Sequence, residues 1–104
     1  MVISSKDAQK MLQETEHKLI LDVRTKEEFE SGYIDGAVNV PYEDIPLQIE
    51  NITTDKTLPI FLYCRSGARV KVAVEMLTLM GYTTLYDFGG TMDWEGEIKP
   101  YDGN

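Results

Sequence analysis

The only cysteine of this chain, Cys64, stands at the end of an apolar run and is followed at once by a short loop. The loop contains Arg65 and Gly67, and Arg69 follows in a helical pattern. This order predicts a thiol at the carboxyl end of a buried strand and at the N-terminus of a helix, where open α/β sheets place their reaction sites. Backbone N–H groups and the helix dipole favour a thiolate there. We therefore interpret Cys64 as a nucleophile, with a small packed core cysteine as the alternative.

The residues that follow Cys64 have the properties of an anion site. Successive backbone N–H groups can curve around one point, and Gly67 permits backbone angles that are closed to other residues. Arg65 and Arg69 add planar, permanently charged donors. The single histidine, His17, precedes the first strand and is interpreted as a surface residue. Activation of the thiol must then come from amides, arginines and the helix end, which disfavours a cysteine protease.

Two chemistries use a cysteine in such a cradle: phosphate-ester cleavage through a phosphocysteine, and sulfur transfer through a persulfide. Four residues separate Cys64 from Arg69. Cysteine phosphatases need one residue more, because their loop surrounds a whole tetrahedral phosphate, and this chain has Val70 where that arginine would stand. The shorter loop suits one bound sulfur atom and therefore favours sulfur transfer. A phosphatase or an arsenate reductase is the least favoured hypothesis.

The elements that must position this loop alternate between short apolar runs and helical patterns, which predicts a parallel sheet covered by helices on both faces. The predicted strands are residues 18–23, 37–40, 58–63 and 83–88. The predicted helices are residues 5–14, a short one capped by Thr25, 42–51 interrupted by Pro46, 68–80 and a last one around 92–95.

Three further residues follow predicted strands and so belong to the same edge of the sheet as Cys64. Asp22 ends the first strand, and Gly89 and Gly90 begin a loop after the last one. We expect them to support the site: the glycines by close backbone approach or by turning the chain, and Asp22 by orienting loop amides or an arginine. The favoured alternative for Asp22 is strand-end structure, such as an Arg24–Glu28 pair that stabilises the next turn.

Composition narrows the function classes. The length of 104 residues predicts a single domain over residues 1–104, and the net charge of −8 argues against nucleic acid and anionic membranes as partners. One cysteine and one histidine exclude a disulfide and a cysteine- or histidine-rich metal site. No apolar run is long enough to span a membrane. We expect a cytoplasmic protein, provided that no signal has been removed, and a monomer or weak homodimer.

With these motifs in order, the chain resembles the rhodanese-like sulfurtransferase domains over essentially its whole length. The matching runs are Leu21-Asp22-Val23-Arg24, Glu27-Glu28-Phe29, Gly32-Tyr33-Ile34-Asp35-Gly36-Ala37 with Asn39 and Pro41, Cys64-Arg65-Ser66-Gly67-Ala68-Arg69, and Gly89-Gly90 with Trp94. The resemblance implies a three-layer α/β/α fold with a mostly parallel, five-stranded sheet and a semicircular active-site loop. One departure is Tyr33, where many family members have a histidine that is read as structural.

The resemblance also implies a reaction. Cys64 carries sulfur as a persulfide from thiosulfate or a related small anionic donor to a thiophilic acceptor: cyanide in assays, a thiol or a protein in the cell. It implies substrate binding by Arg65, Ser66, Gly67, Ala68 and Arg69, and no cofactor beyond the covalent persulfide. The alternative is an interaction, redox or sulfur-relay module without significant turnover, because a reactive cysteine is also readily oxidised.

Overall fold

The computed structural model describes residues 1–101 as one parallel sheet with helices on both faces. The strand order is β2-β1-β3-β4, and all three neighbouring pairs are parallel. The strands are β1 Leu19–Asp22, β2 Val38–Asn39, β3 Ile60–Cys64 and β4 Leu85–Gly90. The helices are α1 Ser5–Glu14, α2 Lys26–Glu30, α3 Ile45–Ile52 and α4 Ala68–Leu79, with 3₁₀ turns at Tyr42–Asp44 and Thr91–Asp93. No helix within residues 1–101 is long and apolar enough to cross a membrane.

The expectation of five strands is wrong in its count, since the described residues form four. The N-terminal segment occupies the edge beyond β4, where Val2 and Asp87 form one isolated parallel bridge. The N–H of Ile3 donates to the carbonyl oxygen of Asp87 at 2.8 Å. Ser4 then caps α1. Because the helix starts so soon after the bridge, the segment is too short to form a regular strand.

The two faces of the sheet are buried against different helices. Alternate residues of β3 point to opposite faces, as the two-residue period of a strand requires. Ile60, Leu62 and Cys64 join the core that contains residues of α3 and α4. Phe61 and Tyr63 join the other core, which contains Ala8 of α1. Both faces are therefore covered, which explains why β3 is an uninterrupted apolar run and is buried along its whole length.

Local signals in the sequence account for most helix ends. Thr25 caps α2 and forms a capping box with Glu28. α4 is followed by Gly81, which has a positive φ of 98°. The interruption expected at Pro46 is wrong, because α3 begins at Ile45 and Pro46 lies in its first turn. The missing N–H of a proline there would have no partner within the helix in any case.

The last residues of β4 differ from the prediction and shape the edge at which the reaction site is expected. Gly89 and Gly90 were predicted to begin a loop, and they are the end of the strand. The register shifts between Leu62 and Cys64, so that Gly90 lies opposite Cys64. Gly89, with a φ of 85°, supplies the left-handed backbone that such an irregularity commonly contains.

Candidate active site

Cys64 is the last residue of β3, and α4 begins four residues later at Ala68. Its side chain is fully buried, and its Sγ accepts a hydrogen bond of 3.0 Å from the backbone N–H of Gly67. Gly67 has a φ of 98°, a left-handed conformation that favours glycine and turns its N–H back towards the sulfur. Gly67 supplies the one loop amide within hydrogen-bonding distance of Sγ in residues 1–101. A thiolate at this position would therefore accept a hydrogen bond from the backbone of the loop.

The loop lies directly against the end of β4. The carbonyl oxygen of Arg65 accepts a hydrogen bond of 3.1 Å from the N–H of Met92. A methyl group added to Gly90 would lie 2.0 Å from that same carbonyl oxygen and 2.7 Å from the nitrogen of Ser66. Gly90 has an ordinary extended backbone, so this position requires glycine for close approach. Gly90, the last residue of β4, therefore lies in close contact with the loop that follows Cys64.

Arg69 extends from the first turn of α4 to the beginning of α2. Its Nη1 donates to Oε1 of Glu28 at 2.6 Å and its Nη2 donates to Oε2 at 2.9 Å, so the pair is bidentate. The hydrogen bonds from Arg69 lower the pKa of Glu28 from 4.5 to about 2. The charge of Arg69 is thus balanced within the protein. Arg65, by contrast, is exposed and has no ion-pair partner among the residues described.

The Glu28–Arg69 pair predicts an acid-dependent loss of stability. A carboxylate whose pKa is lower in the folded state stabilises the fold above its unfolded pKa, and this contribution is lost as the pH falls towards the folded pKa. We expect Glu28→Gln to be less stable than the parent at pH 6, and the difference to shrink between about pH 4.5 and about pH 2. Urea unfolding across this range measures it. A difference that does not vary with pH would contradict the assignment of the pair.

Asp22 binds the neighbouring Arg24, and this corrects the Arg24–Glu28 pair expected as the alternative. Asp22 is completely buried and Arg24 is 5% exposed. Nε of Arg24 donates to both carboxylate oxygens at 3.0 Å, and Nη2 donates to Oδ2 at 2.6 Å. Nη2 also donates to the carbonyl oxygen of Gly32 at 2.7 Å. A spacing of two residues at a strand end, which places two side chains on one side, was the signal that could have predicted the pair.

Aromatic residues enclose this ion pair. The centre of the Arg24 guanidinium lies 5.6 Å from the centroid of the Tyr63 ring. The Tyr63 hydroxyl oxygen accepts a hydrogen bond of 3.1 Å from the N–H of Ile34, and burial raises the pKa of Tyr63 well above its ordinary value. Tyr33, the residue that departs from the common histidine, stacks on Phe29 with ring centroids 4.4 Å apart. Tyr33 therefore packs as an aromatic core residue at the edge of the site.

A pocket of about 540 Å³ opens beside the loop. It is lined by Arg24, Glu28, Ser31, Gly32, Arg65, Thr91 and Ile98. Of the residues predicted for the site, Arg65 lines this pocket, Ser66 is exposed on the loop, and Ala68 is exposed at the start of α4. Asp22 is buried and bound to Arg24. Arg24 also lines the pocket, although the sequence alone did not identify it as a site residue. Within residues 1–101, no group of three histidine, cysteine or acidic side chains could hold a metal ion.

Known proteins resemble this chain in both sequence and structure. The family model of the Rhodanese-like domain matches residues 4–97. The uncharacterized protein YqhL of Bacillus subtilis (strain 168) is 40% identical over 81 residues, which are 77% of this chain and 63% of YqhL, so the chain spans less than two thirds of that relative. The thiosulfate sulfurtransferase PspE of Escherichia coli (strain K12) is 33% identical over 73 residues, 70% of each chain.

A solved structure agrees with the sequence comparisons. The crystal structure of a rhodanese-like domain protein from Staphylococcus aureus superposes with a TM-score of 0.82 at 28% identity and covers 97% of this chain and 98% of its own. The rhodanese-like α/β fold expected from the sequence is thereby confirmed. Since the family model matches residues 4–97, which are nearly all of the chain, this chain belongs to the Rhodanese-like domain family.

Proposed function

We propose that this protein is a sulfurtransferase that carries sulfane sulfur on Cys64. The observation that carries the proposal is the hydrogen bond from the Gly67 N–H to Cys64 Sγ at a junction between strand and helix. A donor already in place can stabilise negative charge on sulfur without reorganisation during the reaction. Membership of the family and the sulfurtransferase name of a relative support the same activity. A cytoplasmic setting fits, because the reaction requires Cys64 to be reduced.

The proposed reaction has two steps that share Cys64. In the first, the Cys64 thiolate attacks the outer sulfur of thiosulfate, the sulfur–sulfur bond of the donor breaks, and its electron pair leaves with sulfite. In the second, a nucleophilic acceptor attacks the outer sulfur of the Cys64 persulfide, and the electron pair of the breaking bond returns to Sγ. Cyanide as acceptor gives thiocyanate. No external oxidant or reductant enters either step, and the Gly67 N–H donates to Sγ, which is negatively charged before the first step and again after the second.

The assay that tests the proposal is thiocyanate formation from thiosulfate and cyanide, beside hydrolysis of a generic phosphate ester by the same sample. We expect saturable thiocyanate formation and no phosphate release. Phosphate release without thiocyanate would overturn the proposal in favour of a phosphatase. The burial of Cys64 favours a second candidate, an interaction or sulfur-relay module with little turnover. Absence of turnover on both substrates would favour that candidate.

Arg65 is expected to hold the sulfonate end of the donor. It is exposed on the loop, it faces the pocket, and its charge is not balanced by an ion pair in the part of the chain described, whereas Arg69 is bound to Glu28. Arg65→Ala should raise the KM for thiosulfate about 10-fold, which corresponds to one hydrogen bond to a charged group. Steady-state kinetics measure this. An unchanged KM would exclude Arg65 from donor binding.

Gly90→Ala should disable the site while leaving the protein folded. The added methyl group would meet the Arg65 carbonyl oxygen at 2.0 Å, so the loop must shift away from β4. Because a displacement of roughly 1 Å in a reacting group can cost about 100-fold in rate, we expect a loss of that order in kcat/KM. Gly36→Ala is the control: its glycine also resists substitution, with a φ of 85°, but lies outside the site. Equal activity in the two variants would contradict the role of Gly90.

A further inference from the structure

The pocket beside Cys64 is larger than thiosulfate requires. Its volume of about 540 Å³ lies within the range of roughly 300–1,000 Å³ in which proteins bind drug-sized molecules. Cys64 is buried and does not line the pocket, which borders the next residue of the loop, Arg65. A molecule bound in the pocket would contact Arg65, the neighbour of Cys64 in the loop, and would extend among Arg24, Gly32 and Ile98.

One donor group of the largely buried Arg24 side chain has no protein partner among the described residues. The Nε and Nη2 groups of Arg24 are bound to Asp22 and Gly32, but its Nη1 makes no hydrogen bond within residues 1–101. No buried side-chain nitrogen or oxygen lacks a partner in those residues, so Nη1 must reach solvent. Arg24 is 95% buried, and the surface that it retains lines the pocket. The bonds to Asp22 and Gly32 hold Nη1 in one orientation, which is the property of a binding group.

The charged side chains around the pocket can bind one anion. Asp22 balances the charge of Arg24, so Nη1 contributes a directed donor, and both carboxylate oxygens of Glu28 are bound by Arg69. Arg65 adds a positive charge that no ion pair balances in the described part of the chain. A planar carboxylate can accept from two such donors at once. The rest of the protein repels anions, with a net charge of −8, so capture must depend on this local pair.

We propose that Arg24 Nη1 and Arg65 form a carboxylate subsite, and that the sulfur acceptor is a small thiol that carries a carboxylate. This inference rests on the sulfurtransferase function proposed above and names its acceptor class. The acceptor thiolate attacks the outer sulfur of the Cys64 persulfide, a new sulfur–sulfur bond forms, and the electron pair of the old bond returns to Cys64. The products are an acceptor persulfide and the Cys64 thiolate. The subsite holds the carboxylate while this exchange occurs.

The test compares each acceptor acid with its methyl ester, and each rate is divided by the rate of the same thiol with a small-molecule persulfide, which removes differences in thiol reactivity. Persulfidated protein is mixed with mercaptoacetate, 3-mercaptopropionate or 6-mercaptohexanoate and with the methyl ester of each, and rates are normalised to thiolate concentration. We expect the acid of the best-fitting length to react about 10-fold faster than its ester, as one charge-assisted hydrogen bond provides. Added salt should reduce the preference. An acid that reacts no faster than its ester at any length would overturn the inference.

Three variants test which residues cause the preference for the acid over its ester. Arg65→Gln and Arg24→Lys should each lower the ratio of acid to ester rates, the latter because lysine has no second terminal nitrogen to present while it pairs with Asp22. Arg24→Lys is compared at a temperature at which circular dichroism shows it folded. Lys10→Gln removes an exposed charge outside the pocket and should leave the ratio unchanged. A ratio unchanged in both arginine variants would overturn the subsite. Failure of transfer to cyanide as well would instead contradict the sulfurtransferase function, and the subsite with it.

Discussion

Cys64→Ser is expected to abolish thiocyanate formation while the protein stays folded. A serine hydroxyl is a poor nucleophile towards sulfur and cannot form a persulfide, so the first step of the proposed reaction has no starting point. Its oxygen is close to the sulfur in size and can still accept the hydrogen bond from Gly67 in the buried position. We expect the rate to fall to the uncatalysed background. The free energy of unfolding, from urea titration, should fall by about 1 kcal/mol, because a more polar hydroxyl is buried in place of the thiol.

A second variant separates the chemistry of Cys64 from its packing. Cys64→Ala removes both the nucleophile and the acceptor of the Gly67 hydrogen bond, and it should be as inactive as Cys64→Ser. Residual thiocyanate formation in either variant, above the protein-free rate, would mean that another group transfers sulfur. Because the chain has no other cysteine, such a result would contradict the proposed mechanism itself.

Arg24→Gln is expected to cause the largest loss of stability among the substitutions considered. Asp22 is completely buried and accepts its hydrogen bonds from Arg24, so the variant leaves a charged carboxylate in the core without its cation. Removal of one partner from a buried ion pair costs about 3–5 kcal/mol. Natural domains are stable by only about 5–15 kcal/mol, so this loss would be a large part of the total free energy of unfolding. Urea unfolding at pH 7 measures the loss.

A double-mutant cycle tests the cause of that loss. Asp22→Asn removes the buried charge, so Arg24→Gln should cost much less in the Asp22→Asn background than in the parent. Arg69→Gln is the matched comparison, because its pair with Glu28 is partly exposed, with side chains 29% and 27% accessible. The loss of unfolding free energy in Arg69→Gln should be at most about 1 kcal/mol, the value found for exposed pairs. Equal losses in Arg24→Gln and Arg69→Gln would contradict our view of the buried pair.

The order of elements and the position of the nucleophile could be predicted from the sequence because they depend on local patterns. α1 was predicted at 5–14, as observed, since Ser4 provides a side-chain cap just before an amphipathic run. The apolar run that ends at Cys64 predicted a strand, and the helical period after Gly67 predicted α4. These signals are short in range, so they place Cys64 between a strand and a helix without knowledge of any distant contact.

The partners of the charged residues could not be predicted in the same way. Glu28 and Arg69 are 41 positions apart, and no periodic pattern links them. Gly90 requires glycine because the Arg65 carbonyl approaches it from another element, and the register shift that brings them together depends on the packing of β3 against β4. The pocket is likewise formed by side chains from four separate regions of the chain, residues 24, 28–32, 65 and 91–98. Such features arise only when the elements have packed.

The most direct test of the central claim is the intact mass of the protein after incubation with thiosulfate and removal of the excess. We predict a gain of one sulfur atom, which disappears when cyanide is added as thiocyanate forms in equal amount. Because Cys64 is the only cysteine, it is the only thiol that can carry the added sulfur. An unchanged mass, or an added sulfur that cyanide does not remove, would contradict the claim that Cys64 carries sulfur as a transferable persulfide.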